Sequence, residues 1–184
     1  MILSAETLLR SAEYRPSKNM DDRPPESEVD LLVIHSISLP PGEFGGNWID
    51  DLFMNNLDAT AHPYFAEIEA LRVSCHILIQ RTGKITQYVP LNRRAWHAGD
   101  SNYCGRPCCN DFSIGIELEG ADDMPFTDAQ YLALVRVTKE IMHFYPSITR
   151  ERITSHAAIA PGRKTDPGPM FDWDRYLSLI EVLD

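Results

Sequence analysis

The run Leu31-Leu32-Val33-Ile34, ended by His35, limits the possible folds more than any other stretch of the chain. An apolar segment over residues 30–35, rich in β-branched side chains, reads as a buried strand. A second strand is expected from Phe112 to Leu118, where Phe112, Ile114, Ile116 and Leu118 share one face. Ser113, Gly115 and Glu117 share the other face, and small residues leading to a carboxylate aim it into a cleft. Ser74 to Gln80 and Lys84 to Val89 flank Arg81-Thr82-Gly83 and predict a hairpin. Thr127-Asp128-Ala129-Gln130 fits a capping box, followed by apolar residues at helical spacing up to Tyr145, and Pro146 ends the run. Asp172 is placed to cap a last helix with Tyr176, Leu177, Ile180 and Leu183 inward. Shorter elements are expected as a helix over Trp48–Leu57, a loop holding His62 and Pro63, a loop over 90–111 and a strand over Arg152–His156. Residues 1–29 read as an arm, its first ten able to form a short helix. The fold class is α/β, a mixed central sheet with helices packed on it.

The 184 residues predict a single domain, and an apolar fraction of 43% marks a globular chain. No apolar run approaches the roughly 20 residues that span a bilayer. The first residues lack a basic leader and a long apolar stretch, so a cytoplasmic location is expected. A formal charge of −10 argues against nonspecific binding to nucleic acid or anionic membrane. Local arginines (Arg72, Arg93, Arg94 and Arg106) could still grip an anionic small substrate, or be solvated surface. Cys75, Cys104, Cys108 and Cys109 include no C-x-x-C pair and are read as reduced thiols.

Chemistry must come from dispersed residues, because the chain has no H-E-x-x-H, no G-x-S-x-G and no P-loop. The segment from His156 to Asp166 carries a histidine, Lys164 and an aspartate on a stretch broken by Pro161 and Gly162. With His35 it offers two histidines and one carboxylate, and a catalytic zinc uses three protein ligands with the fourth position open. If the three meet in space, the chain is a zinc hydrolase. Each residue alone has a plainer role. A histidine ending a buried strand is often a hydrogen-bonded core residue, Glu117 could lie on a half-exposed strand, Asp166-Pro167 could form a turn, and Lys164 could be solvated. His76 reads as core, and His62 and His143 as structural or exposed.

Four blocks together resemble the AmpD family of bacterial 1,6-anhydro-N-acetylmuramyl-L-alanine amidases, type 2 N-acetylmuramoyl-L-alanine amidases. They are Leu32-Val-Ile-His35 with the following Ser36-Ile-Ser-Leu-Pro-Pro-Gly, Arg93-Arg-Ala-Trp-His-Ala-Gly99, Cys109-Asn-Asp-Phe-Ser-Ile-Gly-Ile-Glu-Leu-Glu-Gly120 and Arg163-Lys-Thr-Asp-Pro-Gly-Pro169. The chain is more distantly similar to peptidoglycan-recognition and phage-lysozyme amidases. The resemblance implies one zinc per chain, held by His35, His156 and Asp166, with Glu117 as the acidic catalytic residue and Lys164 beside it. It implies an anhydro-muropeptide substrate in peptidoglycan recycling, with Ser36, Arg72, His97 and Arg106 as substrate contacts. A monomer is expected, and in some hosts a role in limiting β-lactamase induction. Three positions depart from the family pattern. Ser36 stands where Asn is common, Cys108 where a second arginine is usual, and Ser155-His156-Ala-Ala where Gly-His-Cys-Asp is usual. The missing arginine would otherwise grip a stem-peptide carboxylate, so the resemblance shifts that task to Arg72 and Arg106. A relative that only binds peptidoglycan is the rival reading, and a broad wall amidase acting outside the cytoplasm is another.

Overall fold

A computed structural model describes residues 7–182. The strands are β1 (Glu13–Tyr14), β2 (Met20–Asp21), β3 (Leu31–Ile37), β4 (Ile77–Ile79), β5 (Ile85–Gln87), β6 (Arg94–Ala95), β7 (Asn102–Tyr103), β8 (Arg106–Pro107), β9 (Ser113–Glu119) and β10 (Ile153–Ser155). The helices are α1 (Trp48–Phe53), α2 (Pro63–Ile68), α3 (Asp128–Phe144), α4 (His156–Ile159) and α5 (Trp173–Val182). Six strands form one mixed sheet in the order β1-β5-β4-β9-β3-β10, in which only β4 and β5 run antiparallel. The expected α/β class is therefore the observed one.

The apolar run of β3 lies at the heart of this sheet, flanked by β9 and β10. Leu32 and Ile34 face a core shared with Ile114, Ile116 and Leu118 of β9 and with α3 and α5. Leu31 and Val33 point the other way, against Ala98, Cys109, Phe112 and Ile159. A strand buried on both faces has no polar side, which is why its sequence is continuous rather than alternating. Phe112 departs from the expected pattern. It precedes β9, has left extended geometry (ψ 10°), and so packs on the side opposite Ile114.

Helix α3 begins with the reciprocal Thr127–Gln130 capping box. A cap contributes about 1 kcal/mol, whereas each fully buried Leu or Val contributes roughly 1.5–3. With Leu134, Val135, Val137 and Ile141 all buried, packing holds the helix and the cap sets where it starts. Asp172 caps α5 as expected, accepting from the Arg175 N–H at 2.9 Å. Leu183 lies outside the described residues.

Several expectations need correction. The arm is not a free appendage: β1 pairs in parallel with β5 and forms the sheet edge. Residues 7–10 are not helical, and the rest of the expected N-terminal helix lies outside the described residues. The loop at His62 and Pro63 is the start of α2, where the His62 ring accepts from the Tyr64 N–H at 3.1 Å and Pro63 opens the first turn. α1 stops at Phe53, four residues early, before Asn55 at a positive φ of 61°. The 90–111 loop carries three two-residue strands and a 3-10 turn over Cys109–Asp111. β10 ends at Ser155, so His156 opens a short helix rather than closing a strand.

Candidate active site

In open sheets, sites form at the carboxyl ends of parallel strands. Here β9, β3 and β10 are neighbours, and each delivers one residue at that end: Glu117, His35 and His156. Register places His35 directly beside Glu117. His156 follows β10 at once, held by Ser155, whose hydroxyl accepts from the Ala158 N–H. Asp166 arrives from the turn after α4, and its carbonyl accepts from the Ala157 N–H at 3.0 Å. Gly168 closes that turn at a positive φ of 85°, where a side chain would strike the Asp122 backbone at 2.4 Å.

Three ligand atoms meet. His35 Nδ1 lies 2.9 Å from His156 Nδ1 and 3.1 Å from Asp166 Oδ2, and His156 Nδ1 lies 3.0 Å from Asp166 Oδ2. Ligand atoms around a tetrahedral zinc, at bonds of about 2.0–2.1 Å, stand about 3.3 Å apart. His156 Nε2 donates to the Ala98 carbonyl at 3.1 Å. That contact commits the Nε2 proton and leaves Nδ1 as the atom that faces the Asp166 carboxylate, where it could coordinate a cation between them. The donor set and its spacing fit a divalent ion of the zinc type.

The electrostatics agree with a dry site. Burial pushes His35 down to about 4, with Asp166 opposing, so its ring is held neutral. Burial alone would raise Asp166, but His156 and His35 outweigh it and hold the carboxyl low. Glu117 is pushed well above the ordinary carboxylate range by burial first and by the Asp166 charge second, with Lys164 opposing. Its Oε1 lies 4.0 Å from His35 Nδ1, and its Oε2 is buried without a hydrogen-bond partner. An orphaned, desolvated carboxylate beside a metal set is poised to take and return a proton.

Glu117, His156, Lys164 and Asp166 line a cleft of about 680 Å3, a size suited to a small ligand, and His35 is buried behind it. Its lining is apolar at Phe53, Tyr64, Ile68 and Trp96 and polar at Asp122, Lys164 and Thr165. Of the expected substrate contacts, Ser36 and His97 line this cleft. Arg72 stands exposed at a smaller adjoining hollow with Trp96 and Arg163, its guanidinium turned back on the Glu69 and Leu71 carbonyls. Arg106 is not brought to the cleft. It pairs with Asp30 at 2.6 Å and lies 3.8 Å over the Phe112 ring, two attractions that net charge and position in a loop do not reveal. His76 is core, as expected, with Nδ1 receiving the Gly115 N–H.

Two supporting residues escape a reading limited to candidate ligands and bases. Asn110 is buried, and its Oδ1 accepts from the N–H groups of both His97 and Ala98. Arg163 donates to the carbonyls of Ala98 and Asp100 at 2.6 Å, pinning the same loop against the site. Both sit inside the blocks Cys109-Asn-Asp-Phe and Arg163-Lys-Thr-Asp, which was the available signal.

Comparison with known proteins agrees with this geometry. The family described as N-acetylmuramoyl-L-alanine amidase matches residues 25–169. The chain is 56% identical over 174 residues to the 1,6-anhydro-N-acetylmuramyl-L-alanine amidase AmpD of Haemophilus influenzae, covering 95% of each. Its structure resembles the crystal structure of a selenomethionine AmpD derivative with a TM-score of 0.93 at 56% identity, covering 97% of this chain and 99% of that one. It also resembles the Escherichia coli amidase AmiD, solved with anhydro-N-acetylmuramic acid-L-Ala-D-γ-Glu-L-Lys, with a TM-score of 0.62 at 30% identity, covering 89% of this chain and 66% of that one.

Proposed function

This chain belongs to the N-acetylmuramoyl-L-alanine amidase family, and from that premise we propose that it hydrolyses the amide joining the lactyl group of 1,6-anhydro-N-acetylmuramic acid to the L-alanine of a stem peptide. The observation that carries the reading is the meeting of His35, His156 and Asp166 within about 3 Å of one another, beside Glu117 on the next strand.

His35, His156 and Asp166 would hold one zinc ion. When bound, zinc polarises a carbonyl and lowers the pKa of water from about 15.7 toward about 7. The protein's own groups do the rest. Glu117, whose raised pKa comes from burial, takes the proton of the attacking water and passes it to the departing amine. One C–O bond forms, the C–N bond breaks, and the carboxylate returns to its starting state. Lys164, lining the same cleft, stabilises the negative charge that grows on the carbonyl oxygen, a contribution typically on the order of 3 kcal/mol. Substrate-bound AmiD supports the substrate class.

The reading extends to a monomeric, cytoplasmic enzyme of peptidoglycan recycling, acting on anhydro-muropeptides as one catalytic unit and, in a suitable host, damping β-lactamase induction. No helix among the described residues is long and apolar enough to cross a membrane. Hydrolysis of anhydro-muramyl-tripeptide with and without a chelator tests the chemistry. Release of free peptide that stops with chelator and returns with zinc is expected. A protein that purifies without stoichiometric zinc and cleaves nothing would be the binding-only relative instead.

A further inference from the structure

We propose that His97 is a positioning residue for the metal site, fixing the tautomer and ring orientation of His35 from behind. The proposal rests on the zinc reading above. It goes further by giving His97 a task other than contact with substrate.

The argument starts from one hydroxyl. Ser113 Oγ lies 2.6 Å from the Cys109 carbonyl, which can only accept, so the single hydroxyl proton points there. Ser113 Oγ is also 3.1 Å from His97 Nε2, and in that contact the oxygen must accept. His97 therefore carries its proton on Nε2 and leaves Nδ1 bare. His97 Nδ1 lies 2.9 Å from His35 Nε2, so His35 is the donor there. That leaves the other His35 nitrogen, Nδ1, unprotonated and facing His156 and Asp166. A backbone carbonyl thus dictates, through two side chains, which lone pair His35 offers to a metal. The His156 side reaches the same result in one step through Ala98.

The surroundings are built to keep His97 in place. Its ring is buried, meets the His35 ring edge-on at 5.0 Å and has His76 at 5.6 Å. Gly115 supplies the room, since a Cβ there would sit 2.5 Å from the ring. The His97 backbone N–H is bound by Asn110, whose own carbonyl receives the buried Arg23 guanidinium at 3.0 Å. Outer partners of ligating histidines typically matter 10–100-fold to metal affinity.

The test is zinc affinity by chelator competition, with the visible spectrum of the cobalt-substituted protein as a second readout. His97→Phe keeps a ring but removes the acceptor, and a 10–100-fold loss of zinc affinity is expected. His97→Asn, whose Oδ1 takes the place of Nδ1, should recover most of that loss. Ser113→Ala leaves every ring intact and should weaken zinc severalfold, which keeps the proposal testable if the Phe variant does not fold. Wild-type zinc affinity in the Phe or Ala variant, with only KM raised, would make His97 a substrate contact and overturn the proposal. A wild-type chain that binds no zinc would overturn the functional reading and this proposal together.

Discussion

Gly115, the smallest residue in β9, leaves room for the His97 ring and donates its N–H to His76. Gly115→Ala would drive a methyl into the His97 ring. Such overpacking costs about 1–3 kcal/mol, to be read by urea unfolding, and zinc affinity should fall with it. Glu117→Gln removes the proton carrier but no ligand atom. Turnover should fall about 10²–10⁴-fold while stoichiometric zinc remains, as peptide release and metal analysis would show. His35→Ala should lose metal and activity together, and full activity in that variant would refute the ligand assignment. The juxtaposition of His35, His156 and Asp166, with Glu117 and Lys164 nearby, was legible because each sits at a fixed place in a recognisable block. Arg106 was not, because a charge in a loop does not announce its partner, here Asp30 and the Phe112 face. Asn110 was missed for a related reason: its work is done on backbone N–H groups, which leave no mark in the side-chain pattern.

Among the elements, those with a strong period were legible and those decided by a single turn were not. α3 announced itself through both its capping box and its apolar face. Thr127→Ala should cost about 1 kcal/mol, since the hydroxyl accepts the Gln130 N–H and also donates to the Arg81 carbonyl. Denaturant unfolding checks this, and kcat/KM should stay unchanged because the cap lies away from the cleft. α2 is only six residues, too short for a period to show, although a capping side chain before Pro63 was a usable signal. β1 is two residues held by pairing with β5, and no local pattern predicts a strand defined by its neighbour.

For the molecule as a whole, buried histidines lower stability as the medium becomes acidic. His76 is held well below its ordinary 6.5, chiefly by burial and then by the Arg23 charge. The folded chain keeps it neutral, whereas the unfolded chain takes up a proton as pH falls through 6.5. Its contribution is full above that pH and is lost progressively as pH falls below it. Urea unfolding of the metal-free protein at pH 7 and pH 5 should show a loss, and His76→Gln should lessen it, the rest belonging to His35 and His97. The class of the fold was readable from two strands and two helices. The strand order was not, because β9, β3 and β10 pair with one another across long stretches of intervening chain.

That order has a consequence for how the protein is made. The two histidines facing each other across the site are 121 residues apart in the chain. The second one emerges from the ribosome long after the first, and β10 must then dock on the far flank of β3. A growing chain that has not reached residue 156 carries one of the three side chains that could hold an ion, and the set is complete only once Asp166 has been added.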